Sequence, residues 1–176
     1  RALADFCLER DLILVSDEIW RDLVYPGATH TPTALAAPEI AARLVTCAAP
    51  SKTFNIAGLQ AAEVVIADPD LRDRYRVAAD GAHGRSGNVM GMLAAEAAYC
   101  GGDAWLDALI PYLARNAERF HAGIVEAAPG ARPTPLDATY LSWVDFSAVD
   151  LPREEVVRRI RDEARIGVNA GPSFGA

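Results

Sequence analysis

Two ionisable residues stand directly after apolar runs, at the place where open α/β sheets gather their ligand-binding loops. Asp17 follows "LILVS", and Lys52, about thirty-five residues later, follows "RLVTCAAPS". Lysine is strongly hydrated, so its position at the end of a buried-strand pattern asks for a reason. An amine held in a cleft, partly desolvated or beside another cation, keeps a neutral fraction and can act as a nucleophile or proton carrier. An acid on a neighbouring strand end would share the crevice. The same two residues would equally make an ordinary loop ion pair, and the pattern alone leaves both readings open.

The elements that must position them alternate in type. Residues 2–10 put Leu3, Phe6, Cys7 and Leu8 near one helical face. "DLILVS" reads as a fully buried strand, and "DEIWRDLVYPGATHTPT" as a long loop broken by Pro26, Gly27 and Pro32. "APEIAARLVTCAAP" reads as a helical turn running into a second buried strand, roughly residues 43–48, and "AAEVVIADP" as a third strand closed by an Asp-Pro turn. Strands interleaved with helical patterns predict an α/β sheet covered on both faces. From Pro69 the chain turns helical, in "DPDLRDRYRVAADGA", "NVMGMLAAEAAYC" and "DAWLDALIPYLARNAERFHAGIVEAA". The last carries Trp105, Leu106, Leu109, Leu113, Phe120, Ile124 and Val125 as candidate core residues, and its Pro111 kinks or splits it. "ATYLSWVDF" alternates like a strand, with Tyr140 and Trp143 as core, and "PREEVVRRIRDEARI" is an amphipathic helix with Pro152 in its first turn. The division that follows is residues 1–115 as part of a large domain with the start of an interdomain helix, and 116–176 as the start of a smaller α+β domain.

Composition narrows the partners. A net charge of −7 argues against nucleic acid and anionic membrane, and the basic residues are interspersed with acids as on solvated helix faces. No apolar run approaches the roughly 18 residues of a membrane span. Cys7, Cys47 and Cys100 lie far apart without zinc-type spacing, so they read as small buried hydrophobes of a reducing, cytoplasmic compartment. The chain has no initiator methionine and stops at the loop-like "GPSFGA"; both ends look cut, which suggests a piece of a longer protein.

The segment "SDEIW", followed by "APSKTFNIAGL", resembles the fold-type-I pyridoxal-phosphate (PLP) enzymes of the class I/II aminotransferase superfamily. Within it, "APSKTFNIAGLQ", "NVMGMLAAEAAYCGGDAWLDALIPYL" and "ATYLSWVDF" look like the cystathionine β-lyase, or C–S lyase, branch, in the same order along nearly the whole chain. The resemblance implies an α/β fold of the PLP-dependent transferase type, that of aspartate aminotransferase: the second half of the large-domain sheet plus the start of the small domain. It implies that Lys52 binds the cofactor covalently and then moves the α-proton of a small amino-acid substrate. Asp17 would pair with the pyridinium nitrogen and keep it protonated, so that the ring accepts electrons. Ser51 would touch the phosphate or order the loop, while Asn55 and Gly58 shape the turn. The implied assembly is a homodimer, with Arg85 or Ser86 of "GAHGRSGN" approaching the neighbouring subunit's site.

Departures from the family pattern sharpen the expectation. Trp20 stands where aminotransferases carry a tyrosine and C–S lyases often a histidine; an indole N–H donates to the ring oxygen but cannot accept. Gln60 replaces a phosphate-gripping arginine, and Ala49 a hydroxyl residue, so phosphate binding leans on other parts. The glycine-rich phosphate loop and ring-stacking aromatic would precede this segment, and the carboxylate-binding arginine would follow it. The expected reaction is β-elimination from cystathionine or another S-substituted cysteine to thiol, pyruvate and ammonia. A class I/II aminotransferase, a PLP-binding regulatory domain and a cofactor-free remnant are the alternatives. Elsewhere, His30 lies in the loop after Trp20, His83 and His121 have no partners at metal spacing, "GAHGRSGN" lacks a phosphate-loop lysine, and Glu18 fits an acid at a helix N-terminus.

Overall fold

The computed structural model describes residues 1–82 and 87–175. They form two compact units, Arg1–Leu113 with Asp137–Thr139, and Ala114–Leu136 with Tyr140–Ala176. The first unit opens with helix α1 (Ala2–Glu9) and strand β1 (Leu14–Asp17). After a long loop come the one-turn helix α2 (Thr33–Ala36), a 3₁₀ turn (Pro38–Arg43) and strand β2 (Leu44–Ala48). A short 3₁₀ turn (Ala57–Leu59) leads to strand β3 (Glu63–Val65), then helices α3 (Pro69–Gly81), α4 (Val89–Gly101) and α5 (Asp103–Ala127).

The sheet order is β1-β2-β3, with β1 and β2 parallel and β3 antiparallel to β2. No crossover helix separates β2 from β3, so the chain returns antiparallel. Helices cover both faces of β2. Leu44 faces Ala4, Cys7, Ala37 and Ile40, whereas Val45 faces Ile66 and Leu71. Ile40 and Leu23 are fully buried, each a gain of about 1.5–3 kcal/mol over an exposed side chain. Helix α3 starts where local chemistry requires: Asp68 accepts a bond from the Leu71 N–H at 2.8 Å, and Pro69 takes the first position, where no N–H is missed.

The sequence reading is corrected at four places in which an apolar pattern exists without a cover. In α1 the buried residues are Ala4 and Cys7, while Leu3, Phe6 and Leu8 are exposed; the helix approaches through its small side chains. Strand β1 is only half buried, because the Ile66–Leu71 cover reaches Val45 but leaves its in-register neighbour Val15 61% exposed. Helix α5 runs unbroken through Pro111 and buries none of its residues, so the stripe from Trp105 to Val125 is not core. In the second unit the "ATYLSWVDF" strand shrinks to β5 (Val144–Asp145), paired antiparallel with β4 (Arg132–Pro133). Tyr140 and Trp143 are therefore exposed, Trp143 stacking edge-on with Phe174. The amphipathic helix after Pro152 is α6 (Arg153–Arg158), continued by a π turn over Arg159–Glu163.

The cysteines divide: Cys7 is buried, Cys47 half-buried and Cys100 exposed, which corrects the expectation for the last; all are free thiols. Among the described residues no helix is long and apolar enough to cross a membrane, and no metal-binding cluster of His, Cys, Asp or Glu occurs.

Candidate active site

The parallel ladder of β1 and β2 pairs Asp17 with Cys47, so both strands run out at the same sheet edge. Asp17 ends β1 exposed to solvent; its Oδ1 accepts the Ile19 N–H at 3.2 Å, and Oδ2 carries no hydrogen bond among the described residues. Burial, and then the Asp17 carboxylate, push the Cys47 thiol up, so Cys47 stays protonated and is no nucleophile at neutral pH. From β2 the chain enters a tight turn in which Phe54 N–H donates to Pro50 O and Ile56 N–H to Ser51 O. Asn55 closes it at φ 55°, the left-handed region that asparagine tolerates. Gly58 has no positive φ, and a Cβ there would meet open space, so the turn does not require glycine at that position.

Lys52 sits half-buried in this turn with its Nζ 5.5 Å from the Trp20 ring centroid, a cation–π arrangement. Among the described residues no ion pair joins Asp17 and Lys52. The amine, the indole and the acid nevertheless gather at one edge, since Trp20 lies three residues past Asp17. Ser51 is buried at 9% exposure.

The lysine turn is braced by residues that sequence reasoning passed over. Thr53, 1% exposed, donates its hydroxyl to Asp22 Oδ2 at 3.1 Å, and its carbonyl accepts the Trp105 indole N–H at 3.2 Å. Two glycines let α4 close on the turn. A Cβ at Gly91 would lie 2.4 Å from Leu59 O, the same carbonyl that accepts Asn88 Nδ2. A Cβ at Gly102 would lie 2.2 Å from Phe54 Cε1. Phe54 in turn meets Tyr99 edge-on, and the Tyr99 hydroxyl donates to Glu63 at 3.2 Å. Gly102→Ala in the full-length protein is accordingly expected to cost about 1–3 kcal/mol, as overpacking of a tight contact does. A thermal melt reads it, and an unchanged midpoint would show that both the Phe54 ring and the Ala98 carbonyl, 2.4 Å from such a Cβ, yield freely.

Glu18 does not begin a helix, as its acidic neighbourhood suggested; the segment after β1 is a turn. Its side chain is 5% exposed and heavily bonded: Ser16 Oγ donates to Oε1 at 3.1 Å, the Thr33 N–H to Oε1 at 2.9 Å, and His30 Nε2 lies 3.4 Å from Oε2. Burial pushes the carboxyl up, but the bonds from Thr33, His30 and Ser16 outweigh it and leave the value lowered, so Glu18 is ionised at neutral pH. The loop beyond is pinned by Leu23 and Tyr25. Thr139 N–H donates to Leu23 O, Tyr25 N–H to Asp137 O, and the Tyr25 hydroxyl to Thr139 O. Between these segments lies a cleft of about 270 Å³ whose walls include Asp17, Glu18, Trp20, Arg21, His30 and Asp137. His30 thus faces the cleft, whereas Lys52 is not on its wall. His121 bonds Ser142 instead, at 3.0 Å, and His83, Arg85 and Ser86 lie outside the described residues.

The chain is similar to several known proteins. Cystathionine beta-lyase PatB of Bacillus subtilis is 40% identical over 174 residues, covering 98% of this chain and 45% of that protein. The cystathionine beta-lyase of Corynebacterium glutamicum is 32% identical over 179 residues, covering 99% and 46%. The crystal structure of cystalysin from Treponema denticola, which contains a pyridoxal 5'-phosphate cofactor, superposes with a TM-score of 0.91 at 32% identity, covering 98% of this chain and 44% of that one. The chain therefore spans about half the length of the curated relatives it matches. The family described as aminotransferase class I and II matches residues 1–176, end to end, and the chain belongs to it.

Proposed function

We propose that the whole protein is a PLP-dependent carbon–sulfur β-lyase, which cleaves cystathionine or a related S-substituted cysteine to a thiol, pyruvate and ammonia. The carrying observation is the amine–indole–acid grouping at one sheet edge in a chain 40% identical to a cystathionine beta-lyase. The donor set suits the cofactor: an amine for its aldehyde, a carboxylate with one oxygen outside the turn bond for its ring nitrogen, and the Ser51 hydroxyl for its phosphate or the loop that orders it. When bound, pyridoxal phosphate supplies the electron sink that lets an α-carbon lose its proton.

The chain's own residues do the rest. Lys52 would hold the cofactor covalently, and its Nζ would carry the substrate's α-proton beside the Trp20 face. Asp17 would hold a proton on the ring nitrogen by its charge, which would keep the sink open. Trp20 offers one N–H and no acceptor, so its contribution to the ring oxygen is donation alone. Lyase chemistry needs no second substrate to restore the cofactor. Incubating full-length protein and PLP with cystathionine, and no keto acid, should give sustained pyruvate release. A single turnover that then stops marks an aminotransferase and overturns the reading.

The same reading makes residues 1–115 part of the large cofactor domain and 116–176 the start of the small one, a division that the compact units support. It also makes the protein a homodimer, and a cytoplasmic compartment suits its three free thiols.

A further inference from the structure

We propose that Glu18 and His30 are positioning residues that aim Asp17, an inference that rests on the reading of Asp17 as the partner of the cofactor's ring nitrogen. A buried carboxylate costs several kcal/mol unless its oxygens are satisfied, and an apolar residue at the same point would fold more cheaply. Three donors converge on this one: Ser16 Oγ, the Thr33 N–H and His30 Nε2. Its backbone N–H also extends the sheet ladder by bonding Cys47 O at 2.8 Å. Glu18 is thus fixed at both its main chain and its side chain.

That matters because Asp17 is held loosely. Its carboxylate is exposed, with one hydrogen bond to its own turn. Successive residues of an extended segment point to opposite faces. Ser16 bonds Thr33 Oγ1 at 2.7 Å, so residues 16 and 18 are tied to the α2 side while residue 17 projects the other way. Any backbone rotation that swings Asp17 must break the bonds of Glu18. His30 completes the clamp from the loop that walls the cleft. Because the ionised carboxylate only accepts, His30 donates through Nε2–H, which fixes its tautomer.

A glutamine at 18 keeps the shape but owns one acceptor oxygen. Its NH₂ must face either the Ser16–Thr33 pair or the His30 N–H, so at least one bond is lost or the imidazole flips its tautomer. PLP uptake by the full-length apoprotein, titrated by the visible absorbance of the complex, reads the consequence. Glu18→Gln is expected to weaken binding by roughly 10- to 100-fold, the usual effect of removing an outer partner of a bound group. His30→Phe should do the same, and His30→Gln, whose amide can still donate to Glu18, should recover most of the loss. The decisive arm is the double variant. If Glu18 acts through Asp17, Asp17→Asn with Glu18→Gln binds PLP no more weakly than Asp17→Asn alone.

An equal further loss in the Asp17→Asn background would assign Glu18 a general structural role and overturn the proposal. So would wild-type affinity in folded Glu18→Gln. Should Glu18→Gln fail to fold, His30→Phe in the two backgrounds gives the same comparison. A wild-type protein that takes up no PLP would sink the functional reading first and this inference with it; normal uptake with additive losses would sink this inference alone.

Discussion

Full-length protein carrying Lys52→Ala is expected to lose at least about four orders of magnitude in kcat with cystathionine. It should also lose the visible absorbance of its covalently held cofactor. Two separate functions leave with the one amine, the covalent attachment and the proton transfer. The half-buried turn offers no substitute: Ser51 and Thr53 flank the lysine with hydroxyls that do not titrate near neutral pH, and the nearest thiol, Cys47, is held protonated by burial and by Asp17. Lys52→Arg keeps the charge beside Trp20 but not a deprotonatable nitrogen, and it should fail as completely. Pyruvate assay and absorbance together check this. A coloured, turning-over alanine variant would refute the assignment of Lys52.

Asp17→Asn is expected to lower kcat at saturating PLP by about 10²–10³-fold, the range for removing one preorganised electrostatic group. Asparagine preserves the Oδ1 bond to the Ile19 N–H, so the turn should persist and thermal stability should change little. What disappears is the negative charge that holds a proton on the ring nitrogen. The defect should lie in kcat more than in KM, because the charge matters most as electrons move onto the ring. Stopped-flow mixing with substrate should show slowed α-proton loss. A rate equal to wild type would mean that Asp17 does not face the ring.

Much of the fold was legible because its signals are local. The Asp68–Pro69 start of α3 and the two apolar strands around residues 14–17 and 44–48 follow from propensity and pattern. The placement of Asp17 and Lys52 at one edge was readable as well, once strand ends are known to converge. What periodicity cannot tell is which apolar face finds a partner. Leu3, Phe6, Val15 and the α5 stripe look like core by spacing, yet the first three are exposed and no stripe residue is buried, because burial belongs to the neighbour as much as to the residue. The bracing of the lysine turn was invisible for a related reason. Gly91 and Gly102 carry no chemical signal; their importance is a distance to Leu59 O and to the Phe54 ring. Glu18 misled, since an acid after a strand looks the same whether it faces solvent or collects donors from Ser16, Thr33 and His30.

The fit of α4 against the Phe54 ring ties the amino-acid alphabet at two distant positions. Where residue 102 bears no side chain, an aromatic at 54 has room; a smaller residue at 54 would still leave a methyl at 102 pressed 2.4 Å from the Ala98 carbonyl. The aromatic at 54 thus depends on the bare backbone at 102, so grafting the Lys52 turn into a different scaffold would require carrying its helical backstop along with it.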